Sequence, residues 1–172
     1  MRKAIPVIIA FFTFLPLDAD EVRNFDEGWE YNWKRSIAMT SRKTSGKLQD
    51  DEWKPYSLKD QTPERQNRNI LWLRHYIPKT DWEKSAIYFP FIEFTYQAFI
   101  QERLVAQFGD IHTDDTCSVD TWIQHQILSI PKNLEGEYLY LKVCSPYPSI
   151  GLVHIPKIGK YEDLYYNHIV SE

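Results

Sequence analysis

The chain has 172 residues, enough for one domain with a sizeable core. Hydrophobic residues make up 43% and charged residues 26%, the balance of a globular domain, and a net charge of −4 offers no basic footprint for nucleic acid. Aromatics reach 15%, a surplus that suits rings packed on pleated sheets or stacked on sugars.

The first feature is an N-terminal pattern. Arg2 and Lys3 precede an uncharged apolar run over residues 4–17, followed by Asp18-Ala19-Asp20. That order matches a secretory signal peptide of residues 1–19, cleaved after Ala19. The run is shorter than the ~20 residues a membrane span needs. An uncleaved anchor or a buried strand is the alternative. The remainder, residues 20–172, forms one domain.

Within residues 25–40, Trp29, Tyr31 and Trp33 alternate, which places three rings on one face of a strand. Residues 41–69 are polar and read as a long connection with a short extended piece at 52–55. Residues 70–77 form the next strand. Residues 87–101 are aromatic and β-branched, and Pro90 divides them into two strands. Residues 104–108 follow, ended by Gly109, and 110–121 form a polar loop. Residues 122–130 fit neither period cleanly; strand is favoured over helix, with Pro131 as the stop. A turn at 133–136 leads to YLYLKVCS, residues 138–145, the clearest strand. Residues 152–158 are a further strand closed by Gly159, and 161–170 read as a short helix. Many short strands with Pro and Gly punctuation predict an all-β jelly-roll β-sandwich with a short C-terminal helix. Cys117 and Cys144 either pair, as exported thiols do, or stay free; the spacing does not decide between them.

Alternation gives two strands a common pattern. Leu139, Leu141 and Val143 share a face, opposite Tyr138, Tyr140 and Lys142. Leu71, Leu73, His75 and Ile77 share another, opposite Ile70, Trp72, Arg74 and Tyr76. The aliphatic faces meet in a core, and the aromatic-cation faces line an outer surface. Arg74 is then either a ligand-binding residue or a brace stacked on rings. His75, on the aliphatic side, reads as a packed histidine.

Gly28-Trp29-Glu30-Tyr31 with Trp33, Trp53 with Pro55, and Trp72-Leu73-Arg74-His75-Tyr76-Ile77-Pro78 resemble a galactose-binding-like jelly roll. That is the type found as the sugar-binding domain of family 2 glycosidases. Where that family has a strand, an Asn-Gly turn and a second strand ending in Gly, residues 98–109 carry Gln101-Glu102 at the turn. Glu does not favour φ > 0, so the departure argues against a tight two-residue type I′ turn. Residues 138–145, Ile150-Gly151 and Ile158-Gly159-Lys160-Tyr161-Glu162-Asp163-Leu164 are similar to extracytoplasmic sensor domains of bacterial signalling proteins: diguanylate cyclases, histidine kinases and serine phosphatases. The resemblance implies a periplasmic or extracytoplasmic ligand-sensing domain, non-enzymatic in itself. Segments outside this chain would anchor it to the membrane, and a homodimer is one arrangement. The alternative it implies is a carbohydrate-binding module or accessory domain of a glycosidase. A purely structural or protein-interaction sandwich is a third reading.

No Gly-x-Ser-x-Gly, glycine-rich phosphate loop or His-Glu-x-x-His occurs. The expectation is a domain without catalytic residue, cofactor or metal. Glu93 and Glu102 are the carboxylates from which a glycoside-hydrolysing pair would be drawn. Asp110, His112, Asp114 and Asp115 form an oxygen-rich cluster, read as a turn that caps its own amides rather than as a metal site. The candidate ligand-binding residues for a small molecule or carbohydrate are Trp72, Arg74, Tyr76, Tyr96, Tyr138 and Tyr140. Aromatic faces stack on sugar rings, and arginine pairs with carboxylates or hydroxyls.

Overall fold

Alternating apolar residues separated by turn formers fold here into two facing antiparallel sheets. The computed structural model describes residues 22–33, 53–58, 64–93, 95–118 and 125–171. The predicted signal peptide, much of the 41–69 connection and the start of 122–130 lie outside these residues. The strands are β1 Arg23–Asn24, β2 Glu30–Asn32, β3 Lys54–Pro55, β4 Ile70–Tyr76, β5 Ser85–Phe89 and β6 Thr95–Ile100. They continue with β7 Arg103–Phe108, β8 Asp110–Ile111, β9 Cys117–Ser118, β10 Gln126–Ile130, β11 Tyr138–Cys144 and β12 Lys157–Lys160. One sheet has the order β1-β12-β5-β10 and the other β3-β2-β4-β11-β6-β7, with β8 and β9 as a separate ribbon. The chain passes repeatedly from one sheet to the other, so both sheets are assembled from distant segments.

The inner face of the larger sheet supplies Leu71, Leu73, Leu139, Leu141 and Val143, and the smaller sheet answers with Ile87, Phe89, Leu128, Ile130 and Ile158. Trp29 and Tyr31 are buried in the same core, with Trp33 packed partly against it, as their spacing predicts. The Trp29 indole donates to the Phe25 carbonyl at 2.7 Å, which satisfies its polar atom inside the core.

Strand β5 is buried on both faces. Its second face, Ala86 and Tyr88, is covered by Leu164 of helix α1, Tyr161–Tyr165. A wider π-type turn, Tyr166–Val170, continues the helix. Gly159 lies on β12 beneath this helix; a Cβ there would come within 3.3 Å of the Val22 backbone, so a side chain would have to press Val22 back by a few tenths of an ångström.

Three expectations change. Residues 152–158 are not one strand: Leu152 makes a single bridge to Ile92, and β12 begins only at Lys157. Pro156, which has no N–H for a ladder, sits before that start and instead accepts from the Phe25 N–H at 2.8 Å. The polar loop 110–121 contains the β8–β9 ribbon. Gln101 and Glu102 do form a two-residue turn, with φ of 49° and 67°, between the paired residues Ile100 and Arg103. The type I′ geometry is therefore present without its favoured Asn-Gly, because the flanking β6–β7 ladder imposes it. The open question of the cysteines is answered by a Cys117–Cys144 disulfide with Cα atoms 6.1 Å apart.

Candidate functional site

Strand register decides which predicted site residues meet. Across the outer face of the larger sheet, Glu30, Arg74, Tyr140 and Phe99 form one row, and Asn32, Trp72, Lys142 and Gln97 the next. Tyr76 pairs with Tyr138 at the end of the same face. Arg74 and His75 point to opposite faces, so they do not act as a pair.

Two of the predicted residues are not available to a ligand. Trp72 is only 1% exposed, packed with Ile70, Phe99 and Cys144 under Trp53, Ile111, Cys117 and Tyr140. This is a second small core on the outer face, closed by the ribbon that the disulfide ties down. Tyr96 belongs to the inner core: it stands opposite Val143 and Phe108 and is 4% exposed. Burial pushes its phenol up to about 12. Tyr96 shares its face with Ala98 and Ile100, opposite Thr95, Gln97 and Phe99, and that apolar face is the one that turns inward.

Arg74 is braced from three sides. Its guanidinium lies 4.5 Å from the Trp53 ring centroid and 4.8 Å from that of Tyr138, and its Nε donates to Glu30 Oε2 at 2.6 Å. The side chain is 8% exposed at the residue level, so rings and a carboxylate occupy the guanidinium. Tyr140 is half-buried beside Trp53.

Tyr76 is exposed and Tyr138 half-buried. Tyr76 is 46% exposed and meets Tyr138 edge-on, with centroids 5.6 Å apart. Both rings border a cleft of about 630 Å³. Its other wall is β1 with the turn at Asp26–Gly28, where Gly28 has φ of +88°. His75 spans the two walls. Its Nε2 lies 2.6 Å from the Glu27 carbonyl and its Nδ1 2.6 Å from the Tyr76 carbonyl. With one N–H the ring bonds one of these oxygens; with two it bonds both. The Phe25 ring at 3.8 Å and Trp29 at 5.0 Å hold the imidazole in place, the packed role its position on the aliphatic face predicts. Asp26, Glu27 and Glu30 line the cleft, and Arg23 sits on its edge with its guanidinium 5.4 Å from the Trp82 centroid.

Sequence reasoning missed this cleft, the Trp53 brace and the Glu30 partner of Arg74. Parity placed Glu30 on the outer face, opposite Trp29 and Tyr31. It did not show that β2 lies beside β4, which is what pairs Glu30 with Arg74. An Asp26-Glu27-Gly28 run is a signal for a turn that the sequence reading did not use, and it carries no sign that the turn forms a wall.

The other candidates serve the fold. Glu93 is buried and accepts from Ser149 Oγ at 3.0 Å, while Glu102 sits in the turn beyond β6. Strand β6 lies between them, about 20 Å of chain, far more than a hydrolytic pair spans. Asp114 accepts from the Thr116 N–H at 3.1 Å and hydroxyl at 2.6 Å, which draws its carboxyl below the usual range. Among the described residues, no group of three or more His, Cys, Asp or Glu side chains is placed to hold a metal.

No protein-family model matches this sequence, nor does any curated protein. Solved structures do match the fold. A glycosyl hydrolase family 2 member from Bacteroides cellulosilyticus superposes with a TM-score of 0.56 at 15% identity, over 80% of this chain and 20% of that one. A β-glucuronidase from Bacteroides uniformis gives 0.58 at 9% identity, over 80% and 17%. A β-glycosidase from Bacteroides vulgatus gives 0.56 at 13%, over 80% and 20%. The chain thus spans about a fifth of the length of these glycosidases and shares the fold of one β-sandwich within them.

Proposed function

We propose that this chain is a carbohydrate-binding or accessory β-sandwich module of the kind family 2 glycosidases contain, without a catalytic centre of its own. The observation that carries the proposal is the cleft bordered by Tyr76 and Tyr138 on a sandwich of that fold. Tyrosine rings at a cleft border give a sugar ring an apolar platform, and adjacent carboxylates accept its hydroxyl hydrogens. The test is calorimetric titration of the domain with glycans first identified on an array. Tyr76→Ala is expected to weaken binding at least tenfold at nearly unchanged melting temperature; Tyr138→Ala should weaken it as much but with a lowered melting temperature, because it also removes one face of the Arg74 brace. Unaltered affinity in both variants overturns the placement, and an array without binders overturns the carbohydrate reading.

The second reading is the exported sensor domain of a membrane-anchored signalling protein. It is supported by the signal-like pattern of residues 1–19 and by the Cys117–Cys144 bridge, since disulfides persist mainly in oxidising compartments. Here a ligand in the cleft acts by favouring one of two conformations or association states. Two measurements separate the readings. A fusion of residues 1–19 to a periplasmic reporter tests export. Reading the coding sequence past Glu172 distinguishes a membrane span with a signalling domain from a catalytic barrel.

A further inference from the structure

Three carboxylates, Asp26, Glu27 and Glu30, share the cleft with Tyr76 and Tyr138. Among the described residues, the lining also carries Arg23, whose guanidinium lies over Trp82, and His75, whose two ring nitrogens both face backbone carbonyls. Arg74, behind the tyrosines, is matched by Glu30 at 2.6 Å and covered by Trp53 and Tyr138. The surface offered to a ligand is therefore aromatic and net negative. Glu30 accepts one hydrogen from Arg74 Nε, and a carboxylate has room for about four.

We infer that the cleft selects sugars by charge, taking neutral and amino-bearing rings and rejecting uronic acids. This rests on the carbohydrate reading proposed above and specifies its ligand class. A sugar on Tyr138 brings its substituents toward Asp26 and Glu30, where hydroxyls donate to carboxylate oxygens. An ammonium group gains ion pairing with the carboxylates and contact with the tyrosine faces. A ring carboxylate meets like charge from Asp26, Glu27 and Glu30. At a partly exposed distance of about 5–6 Å, one such repulsion weakens binding roughly tenfold.

The experiment compares the methyl glycosides of glucose, glucosamine and glucuronic acid by calorimetry or NMR titration at low salt. The glucosaminide is expected to bind at least as well as the glucoside, and the glucuronide about tenfold more weakly. Asp26→Asn with Glu27→Gln, both on a surface turn, should bring the glucuronide to within about threefold of the glucoside. High salt should narrow the same gap in the unaltered protein. A glucuronide that binds as well as the glucoside overturns the charge inference while leaving the carbohydrate reading standing. A gap that survives the double variant also overturns it. No binding by any of the three, with an array that has no binders, overturns the carbohydrate reading and this inference with it.

Discussion

Arg74 is an arginine whose planar group is fully used by the fold. Trp53 and Tyr138 lie against its faces and Glu30 accepts from Nε. Lysine keeps the charge but cannot stack flat or present the same N–H. Arg74→Lys is therefore expected to lower stability by about 1–2 kcal/mol, read from the urea midpoint at unchanged slope. A change below about 0.5 kcal/mol, the scale of an exposed pair, would remove the brace. Glu135 is the other residue with a strong local role. Burial alone raises its carboxyl, but hydrogen bonds from Ser85 Oγ at 2.5 Å, the Thr80 N–H at 3.0 Å, Lys132 Nζ and Thr80 Oγ1 outweigh this and leave it at about 2. The folded value lies below the unfolded one, so the stabilisation is complete above the ordinary glutamate range and is lost as pH falls toward 2. It amounts to about 3 kcal/mol. Denaturation midpoints between pH 6 and pH 2 should fall by this much, and Glu135→Gln should be less stable at neutral pH with a flatter acid limb. Parallel curves for the two proteins would remove Glu135 as the source.

At the scale of the element, the β6–β7 hairpin holds two non-glycine residues in the left-handed region, Gln101 at 49° and Glu102 at 67°. Asparagine and glycine tolerate these angles better, so Gln101→Asn with Glu102→Gly is expected to raise stability by about 1 kcal/mol. A melting temperature a few degrees higher would show it, and a lower one would mean that the long side chains contribute at the turn. This hairpin also shows what periodicity could and could not give. Turn position and both flanking strands were legible, because Gly109 and the apolar run mark them. The turn's backbone was not, because the ladder on either side overrides the preference of Gln and Glu. Strands β4 and β11 were legible down to their faces, since aliphatic and aromatic residues alternate cleanly. Tyr96 was misplaced although Ala98 and Ile100 on its own face, opposite Thr95 and Gln97, mark that face as the inner one, and Trp72 because the outer face of a sheet is not always a free surface. The candidate site was legible only as Tyr76 and Tyr138. Its acidic wall comes from a turn some fifty residues earlier, brought alongside by the antiparallel β2–β4 pairing, and local spacing carries no information about that pairing.

At the scale of the molecule, the larger sheet is buried on two sides. One side meets the smaller sheet in the main core, and the other carries the cluster of Ile70, Trp72, Phe99 and Cys144. The β8–β9 ribbon covers that second cluster, and it does so across a disulfide whose partners are 27 residues apart. Among the described residues, Ile111 and Cys117 reach the cluster, Thr95 Oγ1 donates to the Ser118 carbonyl at 3.0 Å, and Lys142 Nζ meets Asp115 at 3.5 Å on the exposed edge. Closing a loop of this length restricts the unfolded chain by about 3.5 kcal/mol, whereas a pair as exposed as Asp115 adds little. The bridge, more than the packing, should therefore keep Trp72 dry. Cys117→Ala with Cys144→Ala is expected to lose about 3 kcal/mol in denaturant and to shift tryptophan emission to the red before the main transition. Reduction of the unaltered protein should reproduce both effects. A double variant within about 1 kcal/mol of the parent, with one coincident transition by fluorescence and circular dichroism, would mean that the outer cluster is held by its own packing and unfolds with the main core as a single unit.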